Sequence, residues 1–309
     1  MNLLHGIVPP LLTPMHADGR VDHDSLDRLV DHLIDAGVHG IFALGSSGQV
    51  AYLTDAERDL VLSRVVQRVA GRVPVVAGVP DFTARRMAEH ARRASELGID
   101  AVVATAPLYA LQDAGEIAES FRMLAAASDA PVIAYDVPVR VHTKLGGDLL
   151  VQLGREGVIN GVKDSSGDDI GFRRLVAANR AAGCPLDLLT GHEVMVDGML
   201  LLGADGAVPG LANVDPAAYV RLWDAAVAGD WVAASKEQER INRLFDIAFT
   251  PAGWGGDAGG IGAFKAAVAR LGIIESGTMP APLRPLGADA IGAIDGILAE
   301  VGLLDHATA

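Results

Sequence analysis

Short apolar runs of strand length alternate with longer stretches of helical period through most of this chain. The runs fall at residues 7–13, 40–44, 73–77, 101–104, 131–135, 158–163, 186–189 and 206–208. They are apolar on both sides rather than alternating, as in strands of a parallel sheet covered by helices on its faces. Helical periodicity predicts helices over 25–36, 56–69, 83–97, 116–127, 170–182 and 193–202, with Asp55, following Thr54, and Asp168 as N-cap candidates. Gly37, Gly98, Gly183 and Gly203 each stand just past a predicted helix, where a left-handed cap favours glycine.

Eight βα units predict a (β/α)8 TIM barrel, an α/β fold whose parallel strands close on themselves. An open doubly wound sheet would announce a nucleotide with G-x-G-x-x-G after its first strand, but here that strand runs into Leu12-Thr13-Pro14. Further helical patterns at 217–228, 233–248, 261–271 and 288–301 predict the last barrel helix plus a C-terminal helical extension. The expected division is a barrel over 1–228 and a helical subdomain over 229–309. The glycine-rich stretch 253–262 carries no P-loop lysine arrangement and reads as a mobile loop.

Half of the residues are hydrophobic, which a large core can absorb, since no run of about 18 uncharged apolar residues marks a membrane span. The formal net charge of −14 argues against nucleic acid and anionic membrane as partners and leaves a small-molecule substrate. An anionic substrate then needs a local cation or a set of backbone N–H groups. The single cysteine, Cys184, excludes a disulfide framework and a cysteine-rich metal site, and a reducing, cytoplasmic location is expected. The segment from Met1 to Gly6 lacks a basic region followed by an apolar one, so no signal peptide is predicted.

In a barrel, chemistry sits at the C-terminal ends of the strands. Lys163, one of four lysines, closes an apolar strand there. An amine desolvated in such a place loses basicity and can attack a ketone to form an imine. A lysine that only pairs with Asp164 or reaches solvent would occupy the same position. Tyr135 ends the preceding strand and can relay protons beside an imine, although a core tyrosine would look no different. The turn Gly45-Ser46-Ser47-Gly48 offers small residues, hydroxyls and approachable N–H groups that can cradle a carboxylate.

Gly45-Ser46-Ser47-Gly48, Tyr135-Asp136-Val137-Pro138 and Gly161-Val162-Lys163-Asp164, in this order and spacing, resemble the motifs of the dihydrodipicolinate synthase / N-acetylneuraminate lyase family. The similarity extends from Gly6 to the segment Pro282-Leu283-Arg284-Pro285-Leu286. It implies a Schiff-base lyase acting on pyruvate, with Lys163 as the covalent lysine, Tyr135 as the catalytic tyrosine, and Ser46 and Tyr109 completing a proton relay. In the family the tyrosine matching Tyr109 reaches across a dimer interface. Ser46 and Ser47 would bind the pyruvate carboxylate, with Gly48 and Val208 in the same substrate-binding set. The resemblance further implies no organic cofactor, no catalytic metal and a homotetramer built as a dimer of dimers.

Arg140 matches an arginine that holds the carboxylate of aspartate semialdehyde, which favours 4-hydroxy-tetrahydrodipicolinate synthase. The chain departs from the synthase pattern at Gln49, which stands for glutamate, at Asp136, which stands for asparagine, and at Val141-His142, which stands for Thr-Gly. The segment Gly78-Val79-Pro80-Asp81-Phe82-Thr83 and the nearby Arg85 do not match a lysine-feedback site. The alternative is a catabolic aldolase that cleaves a sugar-derived 2-keto-3-deoxy acid to pyruvate and an aldehyde. A metal-dependent aldolase is disfavoured because His192-Glu193-Val194-Met195-Val196 lacks the second histidine of a zinc helix. A non-catalytic regulatory binding protein on the same scaffold is the remaining reading.

Overall fold

The computed structural model describes residues 4–305. Met1, Asn2 and Leu3, part of the segment read for a signal peptide, and residues 306–309 of the expected subdomain lie outside that range. The strands are β1 (Gly6–Ile7), β2 (Ile41–Ala43), β3 (Val75–Gly78), β4 (Ala101–Ala104), β5 (Val132–Asp136), β6 (Gly161–Asp164), β7 (Asp187–Thr190) and β8 (Gly206–Ala207). All pair in parallel in the order β1-β8-β7-β6-β5-β4-β3-β2. A parallel bridge between Pro10 and Phe42 joins the two ends of that order, so the sheet closes as the expected (β/α)8 barrel.

The helices are α1 (His23–Asp35), α2 (Asp55–Val69), α3 (Ala84–Glu96), α4 (Ala114–Ala127), α5 (Pro138–Val141), α6 (Gly147–Arg155), α7 (Asp169–Ala181), α8 (Val196–Leu202), α9 (Pro216–Val227), α10 (Trp231–Phe245), α11 (Gly256–Arg270) and α12 (Ala288–Glu300). Their caps follow from side-chain chemistry. Thr54, rather than the expected Asp55, caps α2: its hydroxyl accepts from Glu57 N–H while the Glu57 carboxylate returns to the Thr54 backbone, which leaves Asp55 in the first turn. Asp168 caps α7 as expected, accepting from Gly171 N–H. Small residues set how closely helices approach the sheet, as in α3, where Met87, Ala88, Ala91 and Ala94 form the buried stripe.

Three expectations are corrected. The first strand does not run continuously over 7–13, because Pro9 and Pro10 have no N–H to donate and the ladder breaks after Ile7. The helix expected from 193 begins only at Val196, because the preceding residues turn back on themselves, with Met195 N–H bonding to His192 O and the Glu193 carboxylate taken by Leu211 N–H. The stretch 253–262 is not a loop throughout. From Gly256 onward it is the start of α11, where each internal glycine costs about 1 kcal/mol of helix propensity. Burial of Ile261, Phe264 and Val268, at roughly 1.5–3 kcal/mol per side chain, outweighs that cost.

The expected boundary between 228 and 229 falls in the turn between α9 and α10. One continuous hydrophobic cluster nevertheless runs from the strands through Leu222 and Ile241 to Leu298. The C-terminal helices therefore pack on the barrel, with α11 set between the barrel's last loop and α12.

Closure between β8 and β1 depends on Gly206. A Cβ there would lie 2.3 Å from Gly6 O and 2.6 Å from Gly6 N, which are backbone atoms that cannot move aside. Gly206→Ala should destabilise the fold by about 3 kcal/mol or more, the upper part of the range for overpacking. The check is the urea midpoint; an unchanged midpoint would show that the seam is elastic.

Candidate functional site

β5 and β6 pair so that Tyr135 stands opposite Lys163 and Asp136 opposite Asp164. Side chains alternate between faces along a strand, so the first pair points into the barrel and the second away from it. Lys163 is only 5% exposed. Its amine lies 4.1 Å from the centroid of the Tyr135 ring and 5.0 Å from that of Phe42. The Tyr135 hydroxyl is in hydrogen-bonding reach of Ser165, Ser46 and Lys163. Burial alone would raise the phenol's pKa, but the Lys163 charge and then these hydrogen bonds outweigh it, and the net shift is downward. The structure thus brings Lys163, Tyr135 and Ser46 together and adds Ser165, which sequence reading passed over. Gly191 leaves room for that serine, since a Cβ there would fall 1.9 Å from Ser165 Oγ.

On the outer face, Asp136 is fully buried and accepts from Leu145 N–H at 3.0 Å. Lys144 bridges Asp136 and Asp164. Burial raises the Asp136 pKa and the Lys144 contact opposes it only in part. The aspartate that departs from the family pattern is therefore matched by a lysine eight positions on.

The turn after β2 is bracketed by two non-glycine residues in the left-handed region, Leu44 and Gln49, each at φ 57°. Gly48 is required there because a Cβ would come within 2.9 Å of Leu11 O, and Thr13 fixes the turn by donating its hydroxyl to Gly48 O at 2.8 Å. Ser46 faces the cavity, whereas the Ser47 hydroxyl lies beside Gly210. Gln49 accepts at 3.1 Å from Lys265, a lysine on α11 with no exposed surface.

A cavity of roughly 270 Å³ is lined by Phe42, Ser46, Gln49, Tyr135, Arg140 and Asp257 among others; Lys163 is not itself part of that wall, its amine lying against the Tyr135 and Phe42 rings that are. Arg140, on the single turn of α5, does not stand free as expected: its guanidinium is ion-paired with Asp257 in the first turn of α11. His142, at the family's glycine position, takes φ 55° to end that turn. Tyr109 is 86% exposed and packs edge-on against Phe82 with ring centroids 6.5 Å apart. The chain by itself does not bring Tyr109 to Tyr135. Val208 is buried just past β8, its N–H bonded to Thr190 O at 2.7 Å, and is not part of the cavity wall.

Sequence reading missed Glu193, Lys265 and Asp257. Glu193 lies just past the end of β7, where barrel chemistry is sought, but along the chain it reads as part of an incomplete zinc helix. The other two lie on α11, which no strand-end rule covers. Among the described residues, one trio with metal-ligating atoms close together, His16, Asp22 and Glu275, is not part of the cavity wall, and Asp22 already caps α1.

Residues 3–300 match the dihydrodipicolinate synthetase family. The chain is 35% identical over 304 residues to an uncharacterized DapA-like lyase of Halobacterium salinarum, covering 97% of this chain and 95% of that one. It is 32% identical over 303 residues to the 4-hydroxy-tetrahydrodipicolinate synthase of Stenotrophomonas maltophilia, covering 98% of each. Its fold superposes with a TM-score of 0.92 on YagE, a prophage protein of the dihydrodipicolinic acid synthase family from E. coli K12 solved in complex with pyruvate. That pair is 27% identical, over 98% of this chain and all of the other.

Burial holds two groups, Glu193 and Lys265, far from their usual ranges. Burial raises the Glu193 carboxyl from 4.5 to about 7, against the Leu211 N–H and the Lys163 charge. Burial lowers Lys265 from 10.5 to about 7. Between 4.5 and about 7 the folded Glu193 keeps a proton that the unfolded chain has lost, so its contribution to stability falls as pH rises. Between about 7 and 10.5 the unfolded chain holds a proton that folded Lys265 has lost, so its contribution rises with pH. Denaturation midpoints of wild type and Lys265→Met, followed from about pH 7 to 10, should diverge, with wild type gaining on the variant. A constant offset would show that Lys265 titrates as an ordinary lysine.

Proposed function

The chain belongs to the dihydrodipicolinate synthetase family of lyases, and on that premise we propose that Lys163 forms a Schiff base with pyruvate or a pyruvate-like 2-keto acid. The observation that carries this reading is the buried Lys163 amine beside the Tyr135 ring, with the phenol in reach of Ser46 and Ser165. Attack of the amine on the C2 carbonyl forms a carbinolamine, and loss of water gives an iminium. Departure of a C3 proton then yields an enamine whose carbon adds to an aldehyde; cleavage runs the same steps backwards. Hydrolysis returns the water and frees the lysine.

Tyr135 is suited to carry protons to and from the carbinolamine oxygen, because its lowered pKa brings phenol and phenolate closer in energy. In this reading Ser46 and the backbone of the turn take the keto acid's carboxylate. Tyr109 enters such a relay only from another copy of the chain, which supports an oligomer in which neighbouring sites share this residue. The relatives named 4-hydroxy-tetrahydrodipicolinate synthase support condensation with aspartate semialdehyde. The ion pair on Arg140 favours the second reading, an aldolase whose aldehyde bears no carboxylate.

Borohydride reduction in the presence of pyruvate should add a lactyl-sized mass to the peptide that contains Lys163. A preparation that turns over substrate yet labels elsewhere, or not at all, would contradict the covalent role. A regulatory binding protein would neither turn over nor be trapped.

Tyr135→Phe keeps the ring against Lys163 and deletes only the hydroxyl. It should fold with an unchanged melting temperature and lose on the order of 10²–10⁴-fold in kcat, the range for a positioned acid or base. Activity lost only in step with unfolding would assign Tyr135 to the core instead.

A further inference from the structure

We propose that Asp257 determines the class of second substrate: by pairing with Arg140 it makes the cavity select an uncharged, hydroxyl-bearing aldehyde over one that carries its own carboxylate. This rests on the Schiff-base reading above and concerns only the partner of the 2-keto acid.

Both residues line the cavity that also holds Ser46 and Tyr135. Asp257 is the better shielded of the pair, its side chain 14% exposed against 44% for Arg140. Its position is not left to a swinging loop, because Asp257 belongs to the first turn of α11. That helix is anchored by Phe264 in the core and by the Lys265 bond to Gln49.

A guanidinium that already holds a carboxylate offers a second one little net charge. An incoming acid would either displace Asp257, leaving a shielded carboxylate without its partner, or lie against it and be repelled. Hydroxyl groups meet neither cost. Each can donate to a carboxylate oxygen and accept from an N–H, and the pair presents both, since Arg140 has five donors and its contact with Asp257 is made through Nη2. The other arginine on the cavity wall, Arg58, is turned to His90 at 3.1 Å, and His90 in turn meets Asp81 at 2.9 Å. Among the described residues Arg58 Nε is left without a hydrogen-bond partner, but its Nη1 is held at His90, and a chain charge of −14 adds no attraction for an acidic aldehyde.

The experiment measures kcat/KM for addition of pyruvate to glyceraldehyde and to succinic semialdehyde, in wild type and in Asp257→Asn. Wild type should favour glyceraldehyde. Asp257→Asn releases Arg140 and should move the acidic-to-neutral ratio up by about 10- to 100-fold, the scale of one charge-assisted contact made or lost. Adding Arg140→Ala to Asp257→Asn should cancel that gain. Wild type favouring succinic semialdehyde, or a ratio that Asp257→Asn leaves in place, would overturn the inference. Borohydride trapping of pyruvate on both proteins separates the two levels. Intact adducts with an unmoved ratio overturn the role of Asp257 alone, whereas absence of any adduct overturns the Schiff-base reading and this inference with it.

Discussion

The parallel register of β5 against β6 is the constraint from which the rest of the site follows. One ladder step sets a phenol opposite an amine inside the barrel, and the next sets two carboxylates opposite each other outside it. Because the side-chain period is two, a slip by one residue would turn Lys163 towards the helices and bring an aspartate into the barrel. Neither arrangement could hold both sets of partners. The chemistry inside and the charge balance outside are thus specified by the same backbone pairing, and Lys144, by bridging Asp136 and Asp164, stabilises the register as much as it satisfies two acids.

Around that pairing the site is built from charges that are matched, with a few left unmatched. Asp136 has Lys144, Arg140 has Asp257, and Asp81 has both Arg86 and His90. Lys265 is one of those without a counter-charge, because the residue it reaches is the neutral Gln49. A glutamate at that position, the family's usual residue, would give the amine a counter-charge; here burial depresses its pKa instead. α11 therefore touches the site twice, under the turn after β2 through Lys265 and over the mouth through Asp257. Both contacts come from one helix that contributes nothing to the barrel's βα repeat.

Much of this was legible along the chain. The strands are legible because each is a mainly apolar run short enough to cross the barrel, and their ends locate Lys163, Tyr135 and Ser46 without any contact information. Ser165 lay in the same strand-end segment but carried no signal of its own, since a serine after a strand is ordinary until a tyrosine is seen to face it. Tyr109 shows the opposite limit: the family resemblance singles it out, yet within one chain it is exposed, with its ring against Phe82.

What the sequence by itself determined is the repeat, and with it the barrel, the two facing strands and the residues at their ends, because hydrophobic period and strand length are local properties. Only the tertiary structure decided that Arg140 is already occupied and that Lys265 lies under Gln49. Those contacts join positions 117 and 216 residues apart. It likewise decided that a glycine-rich stretch becomes a helix, since local propensity opposes the helix and only the burial of Ile261, Phe264 and Val268 against distant elements reverses the balance. Such pairings depend on where α11 comes to rest on the barrel, a quantity that no periodicity in the chain encodes.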